Sequence, residues 1–464
     1  MSLIVAVLSL SQGAPRLPLQ IWEKRIAPGL VYRAEIDPNV PRMIHVLRWM
    51  PGGPVRAVAE LGGGTIYEPG ATKGRETPSG MAERKGAIAT LNGDFFPYAG
   101  DPLGFMMRDG ELLSVPFVRK SNPYVVRSAM GWNDRGAFWP VEPIRWSGTV
   151  ESAGRTSVAI DGWACEAGEN AVHVNPPFTG QAWSKPTECL HIIVSQTDGK
   201  WTPNGTVSGK VKEIKTDIQQ LPIEPREFVV TVTGTKRAAW ASTKVGDTIR
   251  VKSTFSGFGN VDLTQAIGGG PTVVRGGKSI VERVAEDEGF GGAFRTTPHP
   301  RTAIGRRANG EVWFMVVDGR QTMSTGFSLD DMANWFLNNG CVDAINLDGG
   351  GSSELFVNGV IANRPSDGTE RPNANGVMFL GPKPANAENY KILGTEMVRL
   401  GSPANLKVRV DGGDPVPNSE VIWSCQGAGW IDQGGRLTVL KEGKINLSAS
   451  VRGKVISQAI SIVP

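Results

Sequence analysis

The chain has 464 residues, of which 40% are hydrophobic and 20% charged, and its formal net charge is +4. This length predicts two or three domains, and the composition is that of a soluble globular protein. The basic residues form no dense run, so we predict no nucleic-acid partner. The 59 glycines stand mostly in short clusters, which is typical of strands joined by tight turns.

Residues 1–19 contain a short apolar stretch followed by small and polar residues. We interpret them as the remnant of a secretory signal, although no Lys or Arg precedes the stretch, and a buried first strand is the alternative. The stretch is too short to cross a bilayer, and no other segment could, so we predict no membrane span. A secreted or cell-envelope location follows from this interpretation.

Cysteine and histidine spacing gives no metal or redox motif. Cys165, Cys189, Cys341 and Cys425 form no C-x-x-C pair, and the four histidines form no H-x-x-x-H pair. Cys165 and Cys189 could form a disulfide if the protein is exported. Cys341 lies in an apolar run and is predicted to be a buried thiol.

The main region is divided into three parts. Residues 20–150 predict a mixed α/β start, with strands in IHVLRW and GAIATLNGDFF. Residues 151–261 predict a strand-rich middle part, since ECLHIIVSQ, REFVVTVTG and DTIRVKSTF have the composition or alternation of strands. Residues 262–382 form the third part, which carries most of the unusual motifs.

The clearest predicted helix lies in this third part, in SLDDMANWFLNNG. Ser328 is followed three residues later by Asp331, as in a capping box, and apolar residues recur at helical spacing. Gly340 is predicted to end the helix. The next segment, CVDAINLD, predicts a buried strand that continues into NLDGGGSSELF.

Residues 386–464 differ from the rest. They contain short strands at regular spacing, divided by turns: LKVRV, EVIWSC, RLTVL, INLSASV and VISQAISIV. This pattern is typical of a small β-sandwich, with Trp423 as its core aromatic residue. PKPANAEN, which precedes the strands, is the predicted linker.

The segment NLDGGGSSELF places an acid, three glycines and two serines between two apolar runs. Asp348 follows a predicted strand, so its carboxylate should lie at the rim of a sheet. The glycines allow close approach of a ligand and leave backbone N–H groups for an anion, and the serines add hydroxyl donors. The arrangement suits a substrate with hydroxyls and a phosphate. The alternative is a glycine-rich turn capped by Asp348.

Other apolar runs end in similar polar residues. They are LNGDFF with Asn92 and Asp94, FMVVDGR with Asp318, HPRTAIG with Arg301, AIGGGPTVV with Gly269, and ANRPSDGTERPNANG with Arg371 and Asn375. Each alone is explained by an ordinary turn or ion pair, but together they predict the walls of one polar pocket. No G-x-S-x-G or G-x-G-x-x-G motif is present, and RGGKS lacks the first glycine of a phosphate loop. The remaining carboxylates, arginines and small donors suit glycosyl or phosphoryl chemistry.

The motifs NGDFF, AIGGGP, RTAIG, VVDGR, NLDGGGSSEL and NRPSDGTERPNANGV occur in this order. Over residues 40–382 the chain therefore resembles the phosphodiester glycosidase family, which includes the "uncovering enzyme" that removes N-acetylglucosamine from a phosphodiester. Residues 386–464 more weakly resemble bacterial Ig-like modules. On this basis we predict an α+β fold class, with a mixed-sheet glycosidase domain followed by an all-β Ig-like sandwich.

The resemblance implies hydrolysis of the glycosidic C–O bond of a sugar-1-phosphodiester in an extracytoplasmic glycan, such as an exopolysaccharide or wall polymer. An oxocarbenium-like transition state needs a carboxylate, and a phosphate monoester leaves well when arginines stabilise its charge. The candidate catalytic residues are Asp348, Asp318, Asp94 and Arg301. The candidate substrate-binding residues are Asn92, Gly349, Gly350, Gly351, Ser352, Ser353, Arg371, Asn375 and Gly269. No cofactor is required by the sequence, although the carboxylates could hold Ca²⁺ or Mg²⁺.

Two other functional classes stay open at this point. A glycan-binding protein without turnover would not need Asp94, Arg301, Asp318 and Asp348 together. A metal-dependent phosphodiesterase that cleaves P–O is weakened by the lack of histidine ligands. Glu354 follows the serine pair, where a small or hydroxylated residue would be unsurprising in the family, so the substrate is less defined than the reaction class. The Ig-like module is expected to be a spacer or to associate with the cell wall.

Overall fold

In the computed structural model of the chain, the described residues are 17–463 except 98–99, 120–124, 137, 140–143, 153–156, 257–261, 385 and 395. Residues 1–16, which carry most of the predicted signal remnant, lie outside the described residues. No helix in the described part of the chain is long and apolar enough to cross a membrane. The predicted domain boundaries stay predictions.

The centre of the fold is an eight-stranded antiparallel sheet, here called sheet 1. Its strands, in spatial order, are Gln20–Ala27, Leu30–Asp37, Arg42–Trp49, Val312–Val317, Arg301–Arg307, Cys341–Asn346, Thr272–Arg275 and Lys278–Ser279. Strand Val312–Val317 is buried along its whole length because both faces of the sheet are covered. Its residues Val312, Phe314 and Val316 enter the main core, while Trp313, Met315 and Val317 enter a second core. Side chains alternate between the two faces of a strand, so a continuous apolar run suits this position.

A second antiparallel sheet, sheet 2, faces the main core from the other side. Its strands, in spatial order, are Val360–Ile361, Leu355–Val357, Ala89–Asn92, Asn375–Leu380 and Arg56–Leu61. Residues of both sheets, such as Leu47 and Leu91, belong to one buried cluster. The two sheets therefore share the core that positions the site described below.

Helices cover the outer faces of the two sheets. Helix Leu329–Asn338 packs on sheet 1 through residues that include Met332 and Phe336, and Ser328 and Asp331 form the predicted capping box. Helix Pro78–Lys85 contributes Met81 and Ala82 to a cluster with residues of sheet 2. The other described helices are Val281–Asp287 and Ala293–Thr296, with 3-10 turns at Gly62–Gly64, Pro177–Thr179, Gly234–Trp240, Gly350–Ser352 and Asn418–Glu420.

Two further sheets flank this centre. Sheet 3 has the spatial order Val158–Ala159, Arg145–Ser152, Thr248–Ser256, Thr206–Thr216, Cys189–Gly199, Glu227–Thr233, Val172–Asn175 and Gly162–Trp163. Sheet 4 has the order Phe138–Trp139, Ala129–Trp132, Gln265–Gly268, Met106–Arg108 and Glu111–Ser114. Two strand pairs complete the region: Val118–Arg119 with Val125–Val126, and Gln181–Trp183 with Gln220–Pro222.

The C-terminal residues form an all-β unit with its own core, here called the C-terminal unit. Its sheets are Met397–Arg399, Lys454–Val463, Gly443–Val451 and Val421–Gly427; Ala404–Asn405, Arg436–Val439 and Gly429–Ile431; and Tyr390–Leu393 with Lys407–Val410. Trp423 is 1% exposed within this core, as predicted. Assignment of the unit to the Ig-like class stays a prediction.

The C-terminal unit is joined to sheet 1 by a buried lysine. The Lys24 ammonium, on the first strand of sheet 1, donates to the carbonyls of Val421 and Gln433. Burial lowers its pKa from 10.5 to about 7, although the nearby Asp432 carboxylate opposes this shift. The first strand is therefore part of the contact between the two regions.

The predicted α+β class is wrong, because the structure is mostly β, with 48% of residues in strands and 11% in helices. The mixed α/β start predicted for residues 20–150 is instead an antiparallel meander followed by one short helix, Pro78–Lys85. The described sheets are also almost entirely antiparallel rather than mixed. The helices are few because they only cover outer sheet faces, whereas most cores lie between sheets.

The cysteines do not pair. Cys165, Cys189, Cys341 and Cys425 are all free thiols, so the structure shows no disulfide between Cys165 and Cys189. Cys341 is buried, as its apolar surroundings predicted.

Candidate active site

Arg301, Asp318 and Asp348 lie at the same end of three adjacent strands of sheet 1. Strand Arg301–Arg307 runs antiparallel to both of its neighbours, Val312–Val317 and Cys341–Asn346. Its first residue therefore lies beside the ends of these neighbours, which are followed by Asp318 and Asp348. The antiparallel order explains why three motifs that are distant in the sequence meet at the same end of the sheet.

Sheet 2 brings Asp94 to the same place. The Asp348 amide donates to the carbonyl of Gly93 over 3.0 Å, which joins the two sheets next to both acids. Asn92 strengthens this junction, because its Nδ2 donates to the Asp348 carbonyl over 2.8 Å and its Oδ1 accepts from the Thr302 hydroxyl over 2.7 Å. Asn92, a predicted substrate-binding residue, is thus fully buried and holds the loop that carries Asp348.

The Asp94 carboxylate is buried and fixed by backbone donors. Its Oδ1 accepts from the Phe95 amide over 2.7 Å, and its Oδ2 accepts from the Gly104 amide over 2.5 Å. Burial raises its pKa from 3.8 to about 7, and the Asp348 charge raises it further, while Arg127 and the two amides oppose the shift. A side chain at Gly104 would lie 2.5 Å from Oδ2, so the glycine allows this close approach.

Asp348 is half-buried, and its Oδ1 accepts from the Gly349 amide over 2.9 Å. Burial raises its pKa from 3.8 to about 6, against the lowering effect of a Ser352 hydrogen bond and of Arg371 and Arg127. Both carboxyl groups therefore have raised pKa values that lie close to neutral pH. At neutral pH, the pair can therefore both supply and accept a proton.

Two arginines flank the glycine turn Gly350–Ser352 that follows Asp348. A Cβ on Gly350 would lie 3.2 Å from Nη2 of the exposed Arg320, and a Cβ on Gly351 would overlap the guanidinium of Arg371. Arg371 pairs with Asp367 and donates from Nη1 to the Ser352 hydroxyl over 3.3 Å. Arg320 makes no ion pair with any described residue and donates to Nδ1 of His299 over 3.3 Å. Two positive charges therefore lie against one short turn with small residues.

Arg301 is 1% exposed, and its guanidinium is occupied by backbone carbonyls. Nε donates to the Phe327 carbonyl over 3.1 Å, and Nη2 donates to the Phe294 carbonyl over 2.6 Å. Burial lowers its pKa to about 10, and the charge of Arg320 adds to this effect. These contacts fix the segment before the strand that Arg301 begins. Arg301 lies next to Gly349, since a Cβ added at Gly349 would lie 3.8 Å from Cδ of Arg301.

Asp318 holds a neighbouring loop. Its Oδ1 accepts from Nδ2 of Asn363 and from the amide of Arg364, each over 3.0 Å, and its Oδ2 lies 3.6 Å from Nε2 of His45. Asn363 also donates to the Ser353 carbonyl over 3.0 Å. In the described contacts, Asp318 reaches the glycine turn through Asn363, and no contact joins it to Asp94 or Asp348.

The remaining predicted residues support the loops. Asn375 accepts from the Asp94 amide over 2.8 Å, and the Ser353 hydroxyl accepts from Thr302 over 3.3 Å. Gly269 packs against the backbone of Asn346, where a side chain would overlap its carbonyl. Each of these residues lies within the shell that holds the acids, so their predicted substrate contacts stay predictions.

Two residues near the acids carry little or no signal in the sequence. Arg127 lies over the rings of Phe117 and Phe290 at 4.6 Å from each centroid, and over Phe95 at 5.0 Å, and its charge acts on both acids. It stands in PYVVRSAM, where no glycine or acid marks a site.

Glu354 is 1% exposed, and neither carboxyl oxygen makes a hydrogen bond of normal geometry with a described residue. Burial and then the Glu370 charge raise its pKa from 4.5 to about 9, which the nearby Arg371 amide only partly opposes. Glu354 departs from the small or hydroxylated residues expected after the serine pair, and its raised pKa favours the protonated carboxyl group at neutral pH.

No group of three or more His, Cys, Asp or Glu side chains suited to a metal ion exists among the described residues. The carboxyl groups of Asp94 and Asp348 are instead next to backbone amides, Ser352 and arginines. The predicted Ca²⁺ or Mg²⁺ site stays a prediction.

Comparison with known proteins points to one class. Residues 202–380 match the family model described as phosphodiester glycosidase, a segment that includes Arg301, Asp318, Asp348 and Arg371. Asp94 lies before this segment.

Among curated relatives, N-acetylglucosamine-1-phosphodiester alpha-N-acetylglucosaminidase of Bos taurus is 46% identical over 67 residues, which is 14% of this chain and 12% of that protein. The Homo sapiens enzyme of the same name is 46% identical over 67 residues, or 14% of this chain and 13% of that one. The SPbeta prophage-derived uncharacterized protein YomE of Bacillus subtilis is 49% identical over 73 residues, or 16% and 11%. The matches therefore span only about an eighth of these relatives' lengths.

Two solved structures share the fold. A hypothetical protein from Synechocystis aligns with TM-score 0.62 and 18% identity, covering 79% of this chain and 64% of that chain. A Burkholderia pseudomallei protein described as exported aligns with TM-score 0.57 and 22% identity, covering 73% of this chain and 74% of that one. At these identities the likeness concerns the fold alone.

Proposed function

We propose that the chain hydrolyses the glycosidic C–O bond of a sugar-1-phosphodiester. The observation that carries this proposal is the Asp94–Asp348 pair beside a glycine turn flanked by Arg320 and Arg371. The match of residues 202–380 to the phosphodiester glycosidase family supports the reaction class. The names of the curated relatives make an N-acetylglucosamine-1-phosphodiester the first substrate to test.

Asp348 takes the role of the attacking or water-activating carboxylate. It is half-buried and, with a pKa of about 6, mostly ionised at pH 7. The anomeric carbon gains a bond to oxygen as its bond to the phosphate oxygen breaks, and the electron pair leaves with the phosphate monoester. After hydrolysis the products are the free sugar and that monoester.

Asp94 takes the role of a proton carrier for the pair. Its pKa of about 7 lies near the working pH, where proton exchange is most efficient, and both oxygens are fixed by amides. Arg127 opposes the rise in the pKa values of both acids, because its positive charge favours the ionised carboxylates. Asp318 and Arg301 act as positioning residues through the loops they fix.

The leaving phosphate lies at the glycine turn. Arg320 and Arg371 flank the turn and supply charge-assisted hydrogen bonds, while the Ser352 hydroxyl completes the anion site. No cation is needed for this step, because side chains provide both the charge and the proton. A requirement for Ca²⁺ or Mg²⁺ would appear as activity lost with EDTA and restored by the ion.

We place the substrate in an extracytoplasmic glycan, such as an exopolysaccharide or wall polymer. The apolar N-terminal stretch and the exported description of the Burkholderia pseudomallei neighbour support this location. A role of the C-terminal unit as an Ig-like wall-associated module is part of the same proposal.

The test is turnover of the methyl diester of α-N-acetylglucosamine-1-phosphate in ¹⁸O-labelled water. The wild type should release free sugar that carries the label, and Asp348→Asn should lose turnover by about a thousandfold or more. Asp414→Asn, an exposed acid of the C-terminal unit, is the matched control and should keep full activity. Label in the phosphate would show P–O cleavage instead. No release from diesters of several sugars, with folded protein, would reject the proposal.

A further inference from the structure

A cleft of about 310 Å³ lies between the site and the C-terminal unit. One wall is the segment 321–323, and the second is the loop 364–368. The third wall comes from the C-terminal unit and includes Trp430, Leu440 and Lys441. The cleft is therefore lined by residues of both regions.

The cleft adjoins the two arginines of the proposed phosphate site. Arg320 directly precedes the segment 321–323, and Arg371 pairs with Asp367 in the loop of the second wall. The two walls are joined to each other, since Nε2 of Gln321 donates to the Arg364 carbonyl over 2.8 Å. A group esterified to the far side of a phosphate at the glycine turn would therefore point toward this cleft.

The polar groups of the cleft suit a sugar. The hydroxyl oxygen of Ser366 is buried and has no hydrogen-bond partner among the described residues. The Trp430 side chain is half-buried, and its indole N–H likewise makes no hydrogen bond to a described residue. An aromatic ring with a free polar edge packs against the C–H groups of a sugar ring and also binds its hydroxyls. Lys441 is exposed and has no ion pair in the described part of the chain, so a cation lies at the outer end.

The C-terminal wall is fixed in place by Arg364. Its amide donates to Asp318, and its guanidinium donates to the carbonyls of Gly427, over 2.5 Å, and Gly429. These bonds connect a carboxylate at the edge of sheet 1 with the strand that carries Trp430. Such a connection limits movement of the C-terminal wall relative to the glycine turn.

We propose that this cleft is a subsite for the sugar on the far side of the phosphate, and that Trp430 of the C-terminal unit is its main contact. This inference rests on the proposed function, because it takes the phosphate to lie at the glycine turn. It makes the C-terminal unit part of substrate recognition, and it selects diesters with a carbohydrate aglycone over diesters of simple alcohols.

The test compares two probes with the same α-N-acetylglucosamine-1-phosphate group. One is the methyl diester, and the other is the diester to the 6-hydroxyl of a methyl hexoside. Trp430→Ala should lower kcat/KM for the hexoside diester by about tenfold and leave the methyl diester unchanged. Trp430→Phe should recover most of the loss, because it keeps an aromatic ring. Leu400→Ala, at an exposed site of the same unit that does not line the cleft, is the control and should change neither.

The outcomes separate the two proposals. Turnover of both probes with equal rates in Trp430→Ala and the wild type would overturn the subsite and leave the proposed function standing. An equal loss for both probes in Trp430→Ala would also overturn it, since that result indicates a general effect on the fold. No turnover of either probe by the wild type, or of the other sugar diesters, would reject the proposed function itself.

Discussion

The Asp348 amide donates to the Gly93 carbonyl over 3.0 Å, and this bond joins sheet 1 to sheet 2 one residue from Asp94. The two acids therefore share a backbone junction, although they are separated by more than half of the chain. Because the junction lies between two sheets with a common core, its geometry is set by packing far from the site. Catalytic groups on such rigid elements are held more precisely than groups on free loops.

The acid pair predicts a bell-shaped pH profile for kcat/KM. Ionisation of Asp348, with a pKa of about 6, should raise the rate as the pH increases through 6. Loss of the Asp94 proton, with a pKa of about 7, should lower it as the pH rises further.

Asp94→Asn checks this assignment. The variant cannot titrate at that position, so its residual activity should lack the alkaline limb. Initial rates from pH 4.5 to 9 measure both limbs, and a flat wild-type profile over this range would contradict the assignment.

The arginines at the glycine turn predict a loss of phosphate binding on removal. Arg320→Ala and Arg371→Ala should each lower kcat/KM by about ten- to a hundredfold, because charge-assisted hydrogen bonds to the leaving phosphate are lost. Arg371→Lys should recover only part of the loss, since it keeps the charge but not the two-nitrogen fork. Arg399→Ala, at an exposed position in the C-terminal unit, serves as the control. Full activity of both alanine variants at the turn would place the phosphate elsewhere.

The close contacts around Gly351 predict that a single added methyl group lowers activity. A Cβ there would overlap the guanidinium of Arg371 and the carboxylate of Asp367, so Gly351→Ala should displace this ion pair. We expect kcat/KM to fall by about tenfold with little change in melting temperature, since only the ends of flexible side chains must move. Gly168→Ala is the matched control, because nothing lies within 4 Å of its added Cβ. Equal activity of the two variants would mean that the position of Arg371 is unimportant.

Glu354 predicts a stability change that depends on pH. Its pKa rises from 4.5 in the unfolded chain to about 9 in the folded protein, so the folded state binds the extra proton between these values. The contribution of this group is therefore fully present below pH 4.5 and is lost as the pH rises toward 9. Glu354→Gln keeps the shape without the charge and should stabilise the protein by about 1–3 kcal/mol at pH 8.5, with little effect at pH 5.

Thermal unfolding at the two pH values measures this difference. Glu442→Gln, an exposed acid, should change neither melting temperature. A lower melting temperature of Glu354→Gln at both pH values would instead indicate that the carboxylate has a binding partner.

The contacts of Asp318 predict that it positions a loop and does not act on the substrate directly. Asp318→Asn replaces an acceptor of hydrogen bonds from Asn363 and Arg364 by a group that can also donate, which should cost about 1–3 kcal/mol of folding free energy. Turnover should fall only partly, because in the described contacts Asp318 reaches the glycine turn through Asn363. The two limbs of the pH profile should not move. Complete loss of turnover together with a shifted limb would show that Asp318 acts directly on the substrate.

Local patterns predicted the local elements well. The capping box of Ser328 and Asp331 and the burial of Trp423 and Cys341 follow from nearby residues alone, and the structure confirms them. The motifs that end in Asp318 and Asp348 could also be found, because a buried strand followed by an acid and a glycine is a short-range signal.

The long-range arrangement could not be predicted in the same way. The α+β class was expected from the family resemblance, whereas the observed class is set by antiparallel pairing between strands far apart in the sequence, such as Arg42–Trp49 with Val312–Val317. Arg127 escaped notice because its influence on the acids acts through space, from a segment without a turn signal. The engagement of Arg301 by carbonyls likewise depends on a segment that packs over it.

The hydrogen bonds of Lys24 and Arg364 give the C-terminal unit a structural role in the rest of the fold. A fragment that stops near residue 385 would leave a buried amine and a guanidinium without the carbonyls of residues 421, 427, 429 and 433 that accept from them. Such a fragment would expose the first strand and release one end of the loop that leads to Arg371. The C-terminal unit therefore stabilises the region that carries the candidate site, and we expect the two regions to depend on each other for folding.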